Sequence, residues 1–201
     1  MWSLIQAAGW PIWPLIFASI VALALIFERL WSLRQSVVAP TGMVDRVLVD
    51  FRQTGATPEL LARTASQGPL GRILAAGLAN VKAPRPVMKE AIEEVGRVVT
   101  HDLERFLTTL GTIAAMSPLL GLFGTVVGMI EIFGSQSSTA SNPIQLAQGI
   151  SIALYNTAMG LIVAIPSMIF YRYFRGKVDG LVVEMEQQAI KLVDFAHGER
   201  K

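Results

Sequence analysis

The chain has 201 residues, of which 52% are hydrophobic and 16% charged, with a formal net charge of +2 and a mean hydropathy of +0.49. A composition this apolar predicts a lipid environment, and so small a positive balance excludes a nucleic-acid surface. Cysteine is absent, which excludes disulfides, thiolate metal ligands and cysteine nucleophiles; His101 and His197 lack metal-ligand spacing, so neither metal nor cofactor is expected.

No side chain is charged from Pro11 to Phe27, and Glu28-Arg29 ends the run. This predicts a first transmembrane helix over about 11–30, just able to cross a hydrocarbon core of about 30 Å. No small-residue cleavage site follows it, so it reads as a retained helix rather than a signal peptide. Trp2, Trp10 and Trp13 at one end and Trp31 at the other suit membrane interfaces. Glu28-Arg29 reads as an interfacial salt-bridging pair beside a cytoplasmic helix.

The segment from Arg29 to Thr109 is polar and punctuated at Pro40, Gly42, Gly55, Pro58, Gly68-Pro69 and Pro84-Arg85-Pro86, and reads as a cytoplasmic helical hairpin. Two further apolar runs predict spans over about 112–133 and 144–170, separated by a polar turn from Gly134 to Asn142. Asn142-Pro143 is a good helix start, an Asn cap followed by a Pro at the first helical position. All Lys and Arg residues lie between Arg29 and Arg105 or after Tyr171. The positive-inside rule then puts the N-terminus outside and segments 31–111 and 171–201 in the cytoplasm. A helical pattern runs from Val87 into span two, and after Arg172 through Leu181, Met185, Gln188 and Leu192. The expected fold is an all-α membrane protein, one domain over 1–201, with three transmembrane helices and spans two and three extended into a cytoplasmic helical stalk.

At about 100° per residue, Ala114, Ser117, Gly121, Thr125 and Gly128 fall on one face of span two, within about 40° of its centre. In span three, Thr157, Gly160 and Ala164 share a side that Asn156 flanks, with Ser151 further back and Tyr155 pointing away. Gly124/Gly128 and Gly160/Ala164 fit small-residue helix packing, with threonine hydroxyls bonded one turn back. Alternatively, the hydroxyls of Thr125 and Thr157 face a cavity shared with other chains and hold water or a partner's carboxylate. Spacing favours packing for the glycines and leaves both readings open for the threonines. A hydroxyl does not titrate near neutral pH, so these residues would relay or position a proton carried by another group. Glu131 and the phenol of Tyr155 are the only ionisable groups between Thr109 and Tyr171. An intramembrane carboxylate is a functional candidate, yet Glu131 sits near Gly134 and about 80° from the stripe, which suits an outer-mouth position. Pro118 and Pro166 each remove a backbone bond within a span. No phosphate loop, nucleophile triad or dinucleotide fingerprint occurs, so no enzyme is expected.

The stretch SPLLGLFGTVVGM in span two, followed by GISIALYNTAMGLIVAIPSMIFY, resembles the ExbB/TolQ/MotA proton-channel family. The likeness extends along the whole chain: its length, the Glu-Arg pair after span one and the large loop between spans one and two are like ExbB and TolQ, ExbB most of all, whereas MotA-type members have four spans. It implies a homopentamer in the bacterial inner membrane, N-terminus periplasmic, around a dimeric ExbD-like or TolR-like partner whose membrane Asp carries the proton. The work would pass to a periplasm-spanning protein such as TonB, in outer-membrane transport, or would serve a TolQ-like envelope system; the rival reading is a passive membrane scaffold whose small-residue faces serve only oligomerisation. By position in the motifs, the family's pore threonines correspond to Thr125 and Thr157. Glu131, Asn156 and Ser151 are further candidates at the pore or its mouth. Many relatives have Gly-Ile-Ala-Glu-Ala-Leu where this chain has Gly149-Ile150-Ser151-Ile152-Ala153-Leu154. The missing Glu, at Ile152, leaves the partner's Asp as the main titratable group.

Overall fold

Residues 9–135 and 143–198 are described in a computed structural model of the chain, and among them there are helices and no strand. The predicted starts at Asn142 and the anchor Trp2 lie outside the described residues. Long apolar runs without Gly-Pro pairs become the long helices, α1 (Ile12–Ser32), α7 (Leu107–Ser135) and α8 (Pro143–Ala196). Each contains a stretch apolar and long enough to cross a membrane. Between α1 and α7 lie α2 (Gln35–Val38), α3 (Met43–Thr54), α4 (Pro58–Ala65), α5 (Pro69–Ala79) and α6 (Arg85–Glu104).

These five helices replace the hairpin expected from the sequence, because Gly or Pro stands at the start of each of α3, α4, α5 and α6. Gly42 (φ 72°) and Gly55 (φ 70°) bracket α3 in the left-handed region that favours glycine. Pro58 occupies the first turn of α4, where its missing N–H costs nothing, and the Thr57 hydroxyl accepts the Leu60 N–H at 3.3 Å. Gly68 (φ 104°) precedes Pro69 at the start of α5, and Pro84 precedes α6.

The chain divides into two compact units. One contains the chain up to Glu28 together with residues 106–173. Within it α1 is two-faced: Ile12, Leu15, Ala22 and Ile26 are buried, whereas Phe17, Ile20, Leu23 and Phe27 are exposed. Trp10 meets Phe123 edge-on with ring centroids 5.9 Å apart. The first helix is therefore packed along one side rather than being surrounded by lipid.

The other unit contains residues 29–105 and 174–201. Leu70, Leu74 and Leu78 of α5, Met88 and Val99 of α6, and Phe174, Val178, Leu181, Met185 and Leu192 of α8 are fully buried or nearly so. With buried Ala189, those of α8 recur at steps of four or three, a helix seam that continuous burial demands. A Cβ on Gly77 would come within 2.8 Å of Leu192 Cδ2 and 3.0 Å of Ile92 Cδ1, so α5 approaches both helices closely because glycine lies there. Arg85 pairs with Asp194 at 2.9 Å, and Gln35 donates to Glu184 at 2.9 Å. Gly96 and Gly180, in contrast, have open space where a Cβ would stand. Gly96→Ala and Gly180→Ala should each stabilise the isolated chain by about 0.5–1 kcal/mol, seen as a raised Tm in detergent.

The pattern that predicted an unbroken helix from Val87 into span two is interrupted at Arg105-Phe106. Arg105 has ψ 138° and Phe106 has φ 67°, a left-handed conformation that costs a bulky residue about 1–2 kcal/mol. Neither residue is a helix breaker, so tertiary contact has overridden local preference. Arg29, buried at 6% exposure, donates from Nη1 to the Leu103 carbonyl at 3.1 Å. That oxygen belongs to the last turn of α6, whose carbonyls have no acceptor role within the helix once it ends. A cation there also meets the negative end of the helix dipole. A charge-assisted hydrogen bond of this kind, about 1.5–3 kcal/mol, is enough to offset the strain at Phe106.

Candidate functional site

Small residues determine how α7 meets the first half of α8. Gly160 is so close to α7 that a Cβ on it would lie 2.6 Å from the Ser117 carbonyl and 3.1 Å from Gly121 Cα. Reciprocally, a Cβ on Gly121 would lie 2.7 Å from the Asn156 carbonyl and 3.0 Å from Thr157 Cα. One turn on, Gly124 faces the Asn156 side chain, with 2.8 Å to its Cβ, and Gly128 faces Ala153 at 3.4 Å. Gly111 faces the Tyr171 ring at 3.1 Å. As positions rise along α7 they fall along α8, so the two pack antiparallel, backbone nearly against backbone.

The buried seam in α7 is Ala114, Ser117, Gly121 and Gly124, and in α8 it is Ala153, Asn156, Gly160, Val163, Ala164 and Ser167. This shifts the faces read from periodicity. Gly124 replaces Thr125 at the centre of the first, and Asn156, at 1% exposure, lies in the second rather than beside it. The seams repeat at steps of three and four, nearer 3.5 than 3.6, as long antiparallel helices require to stay in contact.

Each candidate threonine stands one residue beyond a buried seam position and is half-buried. Thr125 follows Gly124 and Thr157 follows Asn156, so the pairing of α7 and α8 brings both onto its flank. The Thr125 hydroxyl donates to the Leu122 carbonyl at 2.6 Å, which leaves its oxygen's acceptor capacity directed outward. Thr125 also lines a shallow groove of about 480 Å³ with Val126, Met129, Ile130 and Phe133. Ser117 and Ser167, beside Pro118 and Pro166, donate to the Ile113 and Val163 carbonyls, each at 2.7 Å. These bonds satisfy the serines internally and keep them away from solvent chemistry.

Glu131 and Ser151 are exposed and lie outside the buried seam; the Ser151 hydroxyl donates to the Ala147 carbonyl at 2.9 Å. The side chain of Ile152 lies outside the described residues. Glu28 belongs to the first unit and Arg29 to the second. Arg29's contact with Leu103, 74 residues away, had no signature in the sequence beyond the isolated Glu-Arg pair.

Residues 65–187 match the model of the MotA/TolQ/ExbB proton channel family, a span that includes both threonines and the whole α7–α8 seam. The chain belongs to this family. The resemblance carried by the two motifs is thereby borne out. Among relatives, the biopolymer transport protein exbB1 of Vibrio cholerae is 32% identical over 171 residues, 81% of this chain and 74% of that protein. An ExbB-like 3 protein of Synechocystis is 35% identical, covering 85% and 82% of the two chains. The Tol-Pal system protein TolQ of Pseudomonas aeruginosa is 28% identical, covering 90% and 86%. As a member of a proton channel family with three long apolar helices, the chain is a membrane protein.

Proposed function

We propose that the chain is the housing subunit of a proton-driven complex in the bacterial inner membrane. Copies of it, five in number, surround the membrane helices of an ExbD-like dimer, and proton-motive force is spent on TonB-dependent outer-membrane transport. One observation carries this reading: the half-buried hydroxyls of Thr125 and Thr157 share the flank of a backbone-tight helix pair, while Glu131 and Tyr155 are the only ionisable groups between Thr109 and Tyr171. Such a wall positions a proton and needs a carboxylate from elsewhere to carry it. Positive residues confined to 29–105 and beyond 171 support a periplasmic N-terminus, a cytoplasmic C-terminus and α6 with the end of α8 as a cytoplasmic stalk.

The TolQ relative supports a second reading, a subunit of an envelope-maintaining system paired with a TolR-like partner. Reconstitution with the partner tests the common core. Proton flux into vesicles is expected with the pair, and replacing the partner's membrane Asp with Asn should reduce it to the level of empty vesicles. Full flux with that Asn would refute the housing role. The ExbD-like and TolR-like partners are then distinguished by which one co-purifies.

A further inference from the structure

We infer that the groove between α6 and the last third of α8 receives the outer face of α8 from a second copy of the chain, so that copies join head to tail. The groove has a volume of about 390 Å³ and lies wholly within the unit of residues 29–105 and 174–201. Ile73, Ile92 and Met185 give it an apolar floor, while Glu93, Arg97 and Glu186 stand in its walls. A space of that size takes the side chains of one helix face. Gly96 lines it in the middle of α6, with no atom within 4 Å of where its Cβ would stand. Glycine weakens a helix interior. At Gly77 the close approach of Leu192 and Ile92 explains its presence; at Gly96 no neighbour among the described residues does, and the room it leaves suits an occupant from outside the chain.

The chain carries a matching face. Val183 and Ile190 are 52% and 51% exposed, with exposed Gln187 between them and exposed Gly176 and Gly180 before them. These uncharged positions recur at steps of four and three on the side of α8 nearly opposite its buried seam. A solvated helix carries charge on that side, whereas a helix seam carries none. Lys177 and Lys191 edge this face, and Glu184 on the same edge accepts from Gln35. Neither Glu93 nor Glu186 is in an ion pair among the described residues. An apolar ridge edged by lysines thus complements an apolar groove walled by carboxylates. Ridge and groove are about 120° apart around α8 by helix phase, so each copy's ridge enters the next copy's groove, the heterologous contact that generates rings.

The contact rests on the multi-copy assembly proposed above but not on its proton chemistry. Because cysteine is absent, two differently tagged full chains, Thr100→Cys in the groove and Val183→Cys on the ridge, are reconstituted with the partner in proteoliposomes and oxidised with copper phenanthroline. A disulfide joining the two tags is expected. Gly96→Leu, which fills the groove, should cut its yield by at least about tenfold without lowering the Tm of the isolated chain. Should Gly96→Leu fail to fold, Glu93→Lys/Glu186→Lys on the groove chain gives the same loss, and Lys177→Glu/Lys191→Glu on the ridge chain restores the link. Self-linking of Val183→Cys at equal yield would mean face-to-face pairing, and linking of Thr100→Cys to Val98→Cys instead would make the outer face of α6 the occupant. Either result overturns the proposal, as does a disulfide indifferent to both the filled groove and the reversed charges. Replacing the partner's membrane Asp with Asn should leave the disulfide intact, so failure of the proton reading is told apart from failure of the contact.

Discussion

Gly160→Val is expected to separate α7 from α8 and to abolish assembly. The position has no slack: a Cβ there already lies 2.6 Å from the Ser117 carbonyl and 3.3 Å from the Gly121 nitrogen. These are backbone atoms, which cannot rotate away as the tip of a flexible side chain can. Overpacking in a core costs about 1–3 kcal/mol when side chains can rearrange, and here they cannot, so valine's branched Cβ should exceed that range. Lipid offers no hydrophobic compensation, because membrane helices associate through close packing itself. Thermal unfolding in detergent and the elution volume of the complex measure the effect. Gly121→Val should behave alike, whereas Gly180→Ala should leave the elution volume unchanged and raise Tm slightly. Equal tolerance at Gly160 and Gly180 would mean the close approach is not what holds the pair.

Thr125→Val should do the reverse, leaving assembly and stopping transport. Valine matches threonine in shape, and the lost hydroxyl had donated to the Leu122 carbonyl, an acceptor that the helix ladder still employs. A neutral hydrogen bond of this kind contributes about 1 kcal/mol, so Tm should move little. If the hydroxyl positions a proton, flux in the reconstituted complex should drop by about two orders of magnitude, the size typical of losing one positioned proton-transfer group. Thr157→Val should follow the same pattern, with Thr125→Ser retaining flux. Matched losses of assembly and flux would show that the threonines pack and do nothing more.

The long helices were legible because their cause is local. Runs of apolar residues predicted spans at 11–30, 112–133 and 144–170; α7 and α8 contain the last two, and α1 covers the first from Ile12 onward. The family was legible from two contiguous motifs. The break at Phe106 was not, since its own sequence favours helix and the Arg29 side chain that bonds the Leu103 carbonyl beside it lies 74 residues away. The seam was legible only in outline. Periodicity showed that α7 has a small face but not that its contact line runs through Gly124, because one helix alone does not reveal where its neighbour crosses. For the same reason Asn156 was read as a flank and is found in the contact itself. The Gly and Pro clusters before α6 were correctly seen as punctuation, yet their number was underweighted: four of them, at 40–42, 55–58, 68–69 and 84–86, divide the segment into five helices.

The tryptophans of α1 carry one more implication. Trp13 and Trp31 are both largely exposed, at 58% and 67%, and Arg34 lies over the Trp31 ring at 4.4 Å. Eighteen steps of helix separate the two indoles, about 27 Å along the axis, close to the thickness of a bilayer's hydrocarbon layer. Indoles resist moving into the acyl chains or out into water. Together they make α1 a ruler, and a bilayer a few ångströms thicker would be met by thinning around it or by snorkelling of flanking side chains. Lipid chain length is therefore a physical variable to which this protein should be sensitive even where its sequence is unchanged.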